Sequence, residues 1–338
     1  MTTETLAVDV SGVARRGLFH GLLRDPQAVA TALVVGAYVV AGLIAPLVAP
    51  HDPNAAALDA VNAPVGSPGH LLGADASGRD ILSRLLYSVR TSLVAGGIGA
   101  GVALIVGVSA GLVGGYFGSR VRVGTEWLFN LIMTFPGLLL LIVLFPVTGG
   151  DLRVTMLIFG VLLSTGIYRI VRNLVLGVKH ELFVDAARVS GLSDVRILSK
   201  HVLLVVRGPI VIAAAFMVGT SIGLQAGLAF LGLGSTTVPS FGAMISQGFA
   251  NLYTQPLQFM WPSLGLGILT ASLVLFGNAL RDAFEGPRPK RASSRRTKAI
   301  RKNRGVPELE PATSLLEIRD LAIAYPLPSG EARGSVCR

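Results

Sequence analysis

Residues 91–119, TSLVAGGIGAGVALIVGVSAGLVGGYFGS, form an uninterrupted stretch without Asp, Glu, Lys or Arg. A helix needs about 20 mostly apolar residues to cross the hydrocarbon core of a bilayer, so this stretch is long enough for one membrane span. Among the 338 residues of the chain, 51% are hydrophobic and only 14% are charged, whereas soluble domains carry roughly 25% charged residues. We therefore predict an all-α membrane protein.

Uncharged runs elsewhere in the chain predict five further spans. The last run is 73 residues long and holds two spans, separated by a polar but uncharged loop at about 234–259. The predicted spans are 28–49, 92–115, 127–147, 154–172, 208–232 and 260–280. The uncharged run from which the fourth span is predicted is the shortest, and a buried core helix is the alternative for it. The first run begins too late and is too long for a signal peptide.

The distribution of basic residues predicts the orientation, because cytoplasmic segments hold the excess of Lys and Arg. With the N-terminal segment 1–27 inside, cytoplasmic segments hold 25 of the 29 basic residues and external segments hold four. Both termini are therefore predicted to be cytoplasmic. The net charge of +10 then reflects membrane topology rather than nucleic-acid binding. The single Cys337 excludes a disulfide framework and a Cys-based metal cluster.

The external segment 50–90 contains an amphipathic pattern next to the second span. In residues 80–87, DILSRLLY, the apolar residues Ile81, Leu82, Leu85 and Leu86 recur at helical spacing. This pattern predicts an amphipathic helix at the outer surface that leads into the span. A half-buried helix packed on the spans would show the same pattern.

A cytoplasmic loop of about 35 residues between spans four and five is long for a helix bundle, which suggests a function. Gly191 favours a left-handed helix end, and Ser193 or Asp194 can cap a second helix. The pattern predicts helix, turn, helix along the membrane surface. Phe183, Asp185, Ala186 and Ala187 lie on the first helix, where small residues beside an aromatic anchor suit docking into a groove of a soluble partner. Packing onto the ends of the chain's own spans is the alternative.

These residues resemble a known family. FVDAA at 183–187, followed by Gly191, is similar to the signature loop of bacterial ABC-transporter permeases. Four further segments resemble the C-type permease subunit of dipeptide, oligopeptide and nickel importers: LGADASGRDILSR at 72–84, GGYFG at 114–118, TFP at 134–136 and AFLGLG at 229–234. The likeness covers about residues 25–287.

The resemblance implies the six-span fold of type I ABC importers, in the bacterial inner membrane. It implies a subunit without catalytic residues, which pairs with a second permease subunit, two ATPase subunits and an external substrate-binding protein. ATP and Mg²⁺ would bind the partner ATPase subunits, and neither a cofactor nor a metal would bind this chain. Phe183, Asp185, Ala186, Ala187 and Gly191 would couple the permease to the ATPase, as contact and turn residues of a coupling helix within the 182–198 loop.

The chain departs from the family pattern in three places. The leading Glu of the signature is Asp185, the usual Leu-Pro pair is Leu203-Leu204, and a frequent Glu is Gln225. Polar residues inside spans usually face the bundle interior or a wet path, so Gln225, Asn130 and Thr134 are candidate pathway residues. Hydrogen bonding between helices is the alternative role.

The segment after the last span has a different character. Residues 288–313 form a basic linker suited to anionic lipid headgroups, with nucleic-acid binding as the alternative. Residues 315–325, LLEIRDLAIAY, have a strand pattern that resembles the opening strand of an ABC ATPase domain, but the sequence contains no Gly-x-x-x-x-Gly-Lys-Ser/Thr phosphate loop. We expect 314–338 to be the truncated start of such a domain fused to the permease, or the relic of one, and 288–338 to be poorly ordered.

Two other classes of protein remain as alternatives. A membrane enzyme would need a cluster of acids, bases or histidines in its spans, yet His180 and His201 fall in the loop. A self-sufficient secondary transporter usually buries ionisable residues at the midplane, and the uncharged runs contain none.

Overall fold

The computed structural model describes residues 22–23, 25–235, 237–285, 322–326 and 332–336. The chain divides into two units, residues 1–286 and 287–338. The described part of the first unit is helical apart from its loops. Its α-helices are α1 Pro26–Val48, α2 Ile81–Tyr116, α3 Ser119–Thr134, α4 Gly137–Leu144, α5 Leu152–Val178, α6 Leu182–Val189, α7 Asp194–Ile197, α8 Leu203–Phe230, α9 Phe241–Ala250 and α10 Pro256–Glu285. A short 3₁₀ helix lies at Leu58–Ala60, and a π-helical turn at Leu198–Val202 joins α7 to α8.

Five helical segments are long and apolar enough to cross a membrane, and α3 with α4 makes a sixth if this bent pair counts as one span. The unbroken segments are α1, α2, α5, the continuous stretch Asp194–Phe230 and Pro256–Phe284. The predicted all-α membrane architecture is therefore confirmed. The shortest uncharged run belongs to α5, whose 27 residues are enough for a complete crossing.

The third predicted span, 127–147, is not one straight helix. The helices α3 and α4 are bent by 72° relative to one another. The cause lies at Pro136, because a proline disfavours the helical conformation of the residue before it. Phe135 accordingly has extended backbone angles, with φ at −85° and ψ at 130°.

The expected surface helix at 80–87 is the beginning of α2 itself. Asp80 caps this 36-residue helix, and its Oδ2 accepts hydrogen bonds from the Ser83 amide at 2.8 Å and the Ser83 hydroxyl at 2.7 Å. Ile81 and Arg84 are buried in the first turn. The structure confirms that this helix leads into the span. The predicted position at the outer surface was wrong, because these side chains pack on neighbouring elements, as the half-buried alternative expected.

The helix α2 is the centre of the bundle and packs against α1, α5 and α8. Its most extensive contact is with α5. A Cβ atom added at Gly107 would lie 2.6 Å from Ile167 Cβ, and at Gly111 it would lie 2.7 Å from Val171 Cβ. Only small residues permit such close approach, which stabilises membrane helix pairs through backbone and side-chain packing.

The second unit contains two described strands, β1 Ala322–Pro326 and β2 Ala332–Val336. They pair in antiparallel fashion, with Ala322 opposite Val336 and Pro326 opposite Ala332. The whole predicted basic linker 288–313 lies outside the described residues. Most of the strand segment 314–338 and most of segment 1–27 also lie outside them. The assignment of 314–338 to an ATPase-like start and the expected disorder therefore stay predictions.

The contact between α2 and α5 predicts opposite effects for two Gly→Ala changes in one helix. Gly107→Ala should lower the free energy of unfolding by about 1–3 kcal/mol, because the new methyl group has no space. Gly101 has no atom within 4 Å of an added Cβ, so Gly101→Ala should be neutral or stabilising by up to ~1 kcal/mol through helix propensity. Unfolding in detergent micelles measures both. Equal stability of the two variants would contradict the tight contact.

Candidate functional site

The loop between α5 and α8 contains the predicted helix, turn and helix. The first helix, α6, ends at Val189, and Gly191, two residues later, has a φ of +75°. The Leu192 amide donates to the Ala187 carbonyl at 3.2 Å, and the Gly191 amide donates to the Arg188 carbonyl at 2.9 Å. This pair of bonds is the Schellman motif, which needs a left-handed residue at the position of Gly191. Ser193 precedes α7 at the N-cap position, but its side chain makes no capping hydrogen bond.

One face of the 182–198 loop is anchored to the spans. Val184 and Ala187 of α6 and Ile197 of α7 are buried in one apolar cluster. The same cluster contains Tyr116 from the end of α2 and Val175 near the end of α5. The loop therefore packs directly against the ends of α2 and α5, the two helices that form the tightest contact of the bundle.

Polar contacts add to this anchor at the end of α2. The Tyr116 hydroxyl donates to Asp194 Oδ1 at 2.8 Å, and the guanidinium carbon of Arg188 lies 5.2 Å from the centre of the Tyr116 ring. Hydrogen bonding with Tyr116 raises the pKa of Arg188 above its ordinary value. Arg188 therefore stays charged, and Tyr116 contacts both helices of the loop.

The opposite face of the loop is exposed and largely apolar. Leu182 is 86% exposed and Val189 is 90% exposed. Phe183, Ala186 and Val195 are also exposed. Asp185 adds one acidic group, which forms an ion pair with Arg188 at 3.4 Å. Contiguous exposed apolar residues of this kind mark interaction surfaces.

The structure places the five predicted coupling residues at three locations in the loop: the exposed face, the turn and the buried face. Phe183, Asp185 and Ala186 are on the exposed face, and Gly191 forms the turn. Ala187 instead faces the spans and is buried, because it lies three residues after the buried Val184 on the same side of the helix. The buried face therefore packs on the chain's own spans, as the alternative predicted, and docking of a partner on the exposed face stays a prediction.

Sequence reasoning did not identify Leu182 and Val189 as parts of the exposed face. Their spacing of seven residues is two helical turns and places them on the same side of α6. Only their position relative to Val184, which occupies the core, reveals that they face outward.

The three candidate pathway residues lie in two environments. Gln225 of α8 is 2% exposed, and its Oε1 accepts a hydrogen bond from the Ser92 hydroxyl of α2 at 3.4 Å. This contact is the hydrogen bonding between helices that the sequence predicts as the alternative role of Gln225. Asn130 and Thr134 are both exposed on α3, and the Thr134 hydroxyl donates to the Asn130 carbonyl at 3.1 Å. Within the described residues, no hydrogen bond joins Gln225 to either of them.

One group of side chains in the outer segment has the composition of a metal site. Potential ligand atoms of His51, His70 and Asp80 lie within 4.8 Å of one another. Asp80 Oδ1 is 3.1 Å from His70 Nδ1, and its Oδ2 accepts both hydrogen bonds from Ser83. These contacts are sufficient to explain the group as a structural connection between the outer segment and the start of α2.

The bundle and its loop define a multi-span membrane protein with a structured loop between two spans, one face of which is exposed and apolar. The sequence model of the family described as "Binding-protein-dependent transport system inner membrane component" matches residues 103–287, more than half of the chain. The chain belongs to this family. It is a permease component of an ABC importer and not an enzyme, and the self-sufficient secondary transporter is the less supported alternative.

Similar proteins include permeases with different named solutes. The chain is 29% identical over 272 residues to a dipeptide transport system permease protein, DppC, of Alkalihalophilus pseudofirmus, covering 80% of this chain and 89% of that protein. It is 30% identical to the glutathione permease protein GsiD of Pectobacterium atrosepticum, covering 80% and 90%. It is 36% identical over 247 residues to the nickel permease protein NikC of Escherichia coli K12, covering 70% and 85%.

The anchor of the loop can be tested by removing one hydroxyl. Tyr116→Phe deletes the bond to Asp194 and should cost about 0.5–1.5 kcal/mol of local stability. Amide hydrogen exchange across α6 and α7 should then accelerate by roughly 2- to 10-fold. Tyr168→Phe is the matched control, because Tyr168 donates to Thr125 Oγ1 at 2.9 Å, away from the loop. Equal rates of amide exchange in the 182–198 loops of the two variants would show that the Tyr116 hydrogen bond does not hold the loop.

Proposed function

We propose that this chain forms half of the translocation pathway of an importer for peptides or similar small solutes. It pairs with a second permease subunit and works with two ABC ATPase subunits and an extracytoplasmic substrate-binding protein. Membership of the permease family supports a role in binding-protein-dependent transport. The dipeptide and glutathione permeases among its relatives support a peptide-like solute, whereas the nickel permease supports a metal chelate as the second candidate.

The single observation that carries the coupling role is the two-sided 182–198 loop. Its buried face packs with the ends of α2 and α5, and its exposed face presents Leu182, Phe183 and Val189. A partner that binds the exposed face can thus move the spans through the buried face. Packed interfaces of this kind switch between discrete arrangements, so a small displacement of the loop can become a larger change in the bundle.

The proposed orientation has both termini in the cytoplasm and the 182–198 loop on the same side. The charge asymmetry of the sequence supports it, since 25 of 29 basic residues then lie inside. The ATPase subunits would bind the loop from the cytoplasm, and the ATP and Mg²⁺ would belong to them. The segment 50–80 and the α9 region would face the binding protein outside.

Cysteine labelling tests this orientation. In a Cys337→Ser background, Ser77→Cys and Ser199→Cys each introduce one thiol at an exposed position. A membrane-impermeant maleimide added to spheroplasts should label position 77 directly, and position 199 only after permeabilisation. The reverse pattern would contradict the proposed topology.

Charge reversal tests the coupling surface. Asp185→Arg changes an exposed carboxylate whose contact is with the neighbouring Arg188, so the variant should still reach the membrane. Stimulation of the partner ATPase and solute uptake should both fall, by about tenfold or more if the residue lies in the centre of the interface. Reconstituted complexes in liposomes permit both measurements.

The matched control is Asp59→Arg, the same charge reversal at an exposed position of the outer segment. It should leave stimulation of the ATPase unchanged in complexes assayed without the binding protein, because the outer segment does not touch the proposed ATPase surface. Normal stimulation and uptake in the Asp185→Arg complex would show that the 182–198 loop is not the coupling element.

A further inference from the structure

Two arginines and one aspartate form a buried ion cluster at the outer end of α2. Asp75 Oδ2 accepts a hydrogen bond from Arg79 Nε at 2.9 Å and lies 3.6 Å from Arg84 Nε. One carboxylate therefore faces two guanidinium groups. These three residues are the charged members of the cavity lining beside them, so one positive charge in this lining has no counter-charge.

Arg84 is the more unusual of the two arginines. It is only 4% exposed, and its Nε has no hydrogen-bond partner within the described part of the chain. Its other nitrogens make long bonds, from Nη1 to the Pro53 carbonyl at 3.3 Å and from Nη2 to Gln247 Oε1 at 3.4 Å. The nearest carboxylate oxygen, Asp75 Oδ2, is 3.6 Å from this Nε, too far for a hydrogen bond, and an anionic acceptor at bonding distance would offset the cost of burying the donor.

The guanidinium groups line a cavity of about 270 Å³. The remaining lining includes the amide side chains of Gln247, Asn251 and Gln258. The volume is near the lower limit of small-molecule pockets, which suits a carboxylate with a few attached atoms and not a long chain. The amide groups can donate hydrogen bonds to the polar atoms next to such a carboxylate, or accept hydrogen bonds from them.

Hydrogen bonds from several elements hold the residues around the cavity in place. Asp75 Oδ1 accepts from the amides of Ser77 at 2.8 Å and Arg79 at 3.0 Å. Gln247 Oε1 of α9 accepts from Arg79 Nη2 at 3.2 Å and from Arg84 Nη2. Gln258 Nε2 of α10 donates to the Ala74 carbonyl at 3.1 Å. Donors fixed in this way bind an anion with little ordering cost.

We propose that this cavity is a carboxylate-binding site for a small solute, such as the C-terminal carboxylate of a short peptide. Planar guanidinium groups bind carboxylates through paired hydrogen bonds, and Arg84 Nε supplies a free donor. Asp75 competes with the ligand for both arginines and so keeps the affinity moderate, as release of a transported solute requires. The conclusion that the bound solute is transported rests on the proposed function. The conclusion that the cavity binds a carboxylate is independent of the proposed function.

Direct binding to the purified full chain tests the site. The chain in phosphatidylcholine nanodiscs is titrated with the dipeptide Ala-Ala and with its C-terminal amide, by calorimetry or ligand-observed NMR. Ala-Ala should bind at least about tenfold more tightly than the amide, because the amide lacks the charge that the arginines recognise. Absence of saturable binding, or equal affinity of the two ligands, would overturn the proposal.

Two variants with opposite expected effects separate a binding site from a structural ion cluster. Arg79→Gln should weaken Ala-Ala binding by about tenfold, through loss of one charge-assisted contact. Asp75→Asn retains the Oδ1 acceptor for the loop amides and removes the competing charge, so it should strengthen binding. Arg79 is chosen instead of Arg84 because it is less deeply buried.

Arg153→Gln is the matched control, since it removes one exposed positive charge at the start of α5, outside the cavity. It should leave Ala-Ala affinity unchanged. If Asp75→Asn fails to strengthen binding, or if Arg153→Gln weakens it as much as Arg79→Gln does, the site is not the one proposed. These measurements need no ATPase, so their failure would leave the coupling role of the 182–198 loop intact.

Discussion

The contact between α2 and α5 is the constraint on which the rest of the bundle depends. In a bilayer, helices gain little from burying apolar side chains, because lipid is equally apolar. Association then depends on how closely two backbones approach. Gly107 and Gly111 permit this approach along α2, and α1 and α8 pack around the resulting pair. The glycine-rich stretch therefore determines which helices are neighbours, in addition to providing a span.

The same pair of helices connects the two ends of the helix bundle. At one end, Tyr116 and Val175 hold the buried face of the 182–198 loop. At the other end, the first turn of α2 contributes Arg84 to the outer cavity. One rigid 36-residue helix thus touches both candidate functional surfaces. Under the proposed coupling, a displacement of the loop would act on α2 at one end, and α2 would carry it to the surroundings of the cavity at the other.

Particular elements show how far sequence reasoning reached. Uncharged runs identified the membrane segments, and Gly191 identified the turn of the loop, because both depend on local properties of a few consecutive residues. The bend after α3 was missed, although Pro136 could have indicated it. The start of α2 was predicted to lie at the outer surface, since periodicity alone does not reveal what a helix packs against. The exposed position of Leu182 and the buried position of Ala187 were missed for the same reason.

The sequence by itself determined that this protein is a helical membrane permease of a known family, because composition, uncharged runs and short motifs carry that information locally. Only the tertiary structure decided which face of α6 is free, that Gln225 bonds to Ser92, and that Asp75, Arg79 and Arg84 surround one cavity with Gln247. These facts depend on residues far apart in the chain that meet only when the helices pack. Burial and unpaired charge, the two properties that indicate the outer site, have no counterpart in a linear sequence.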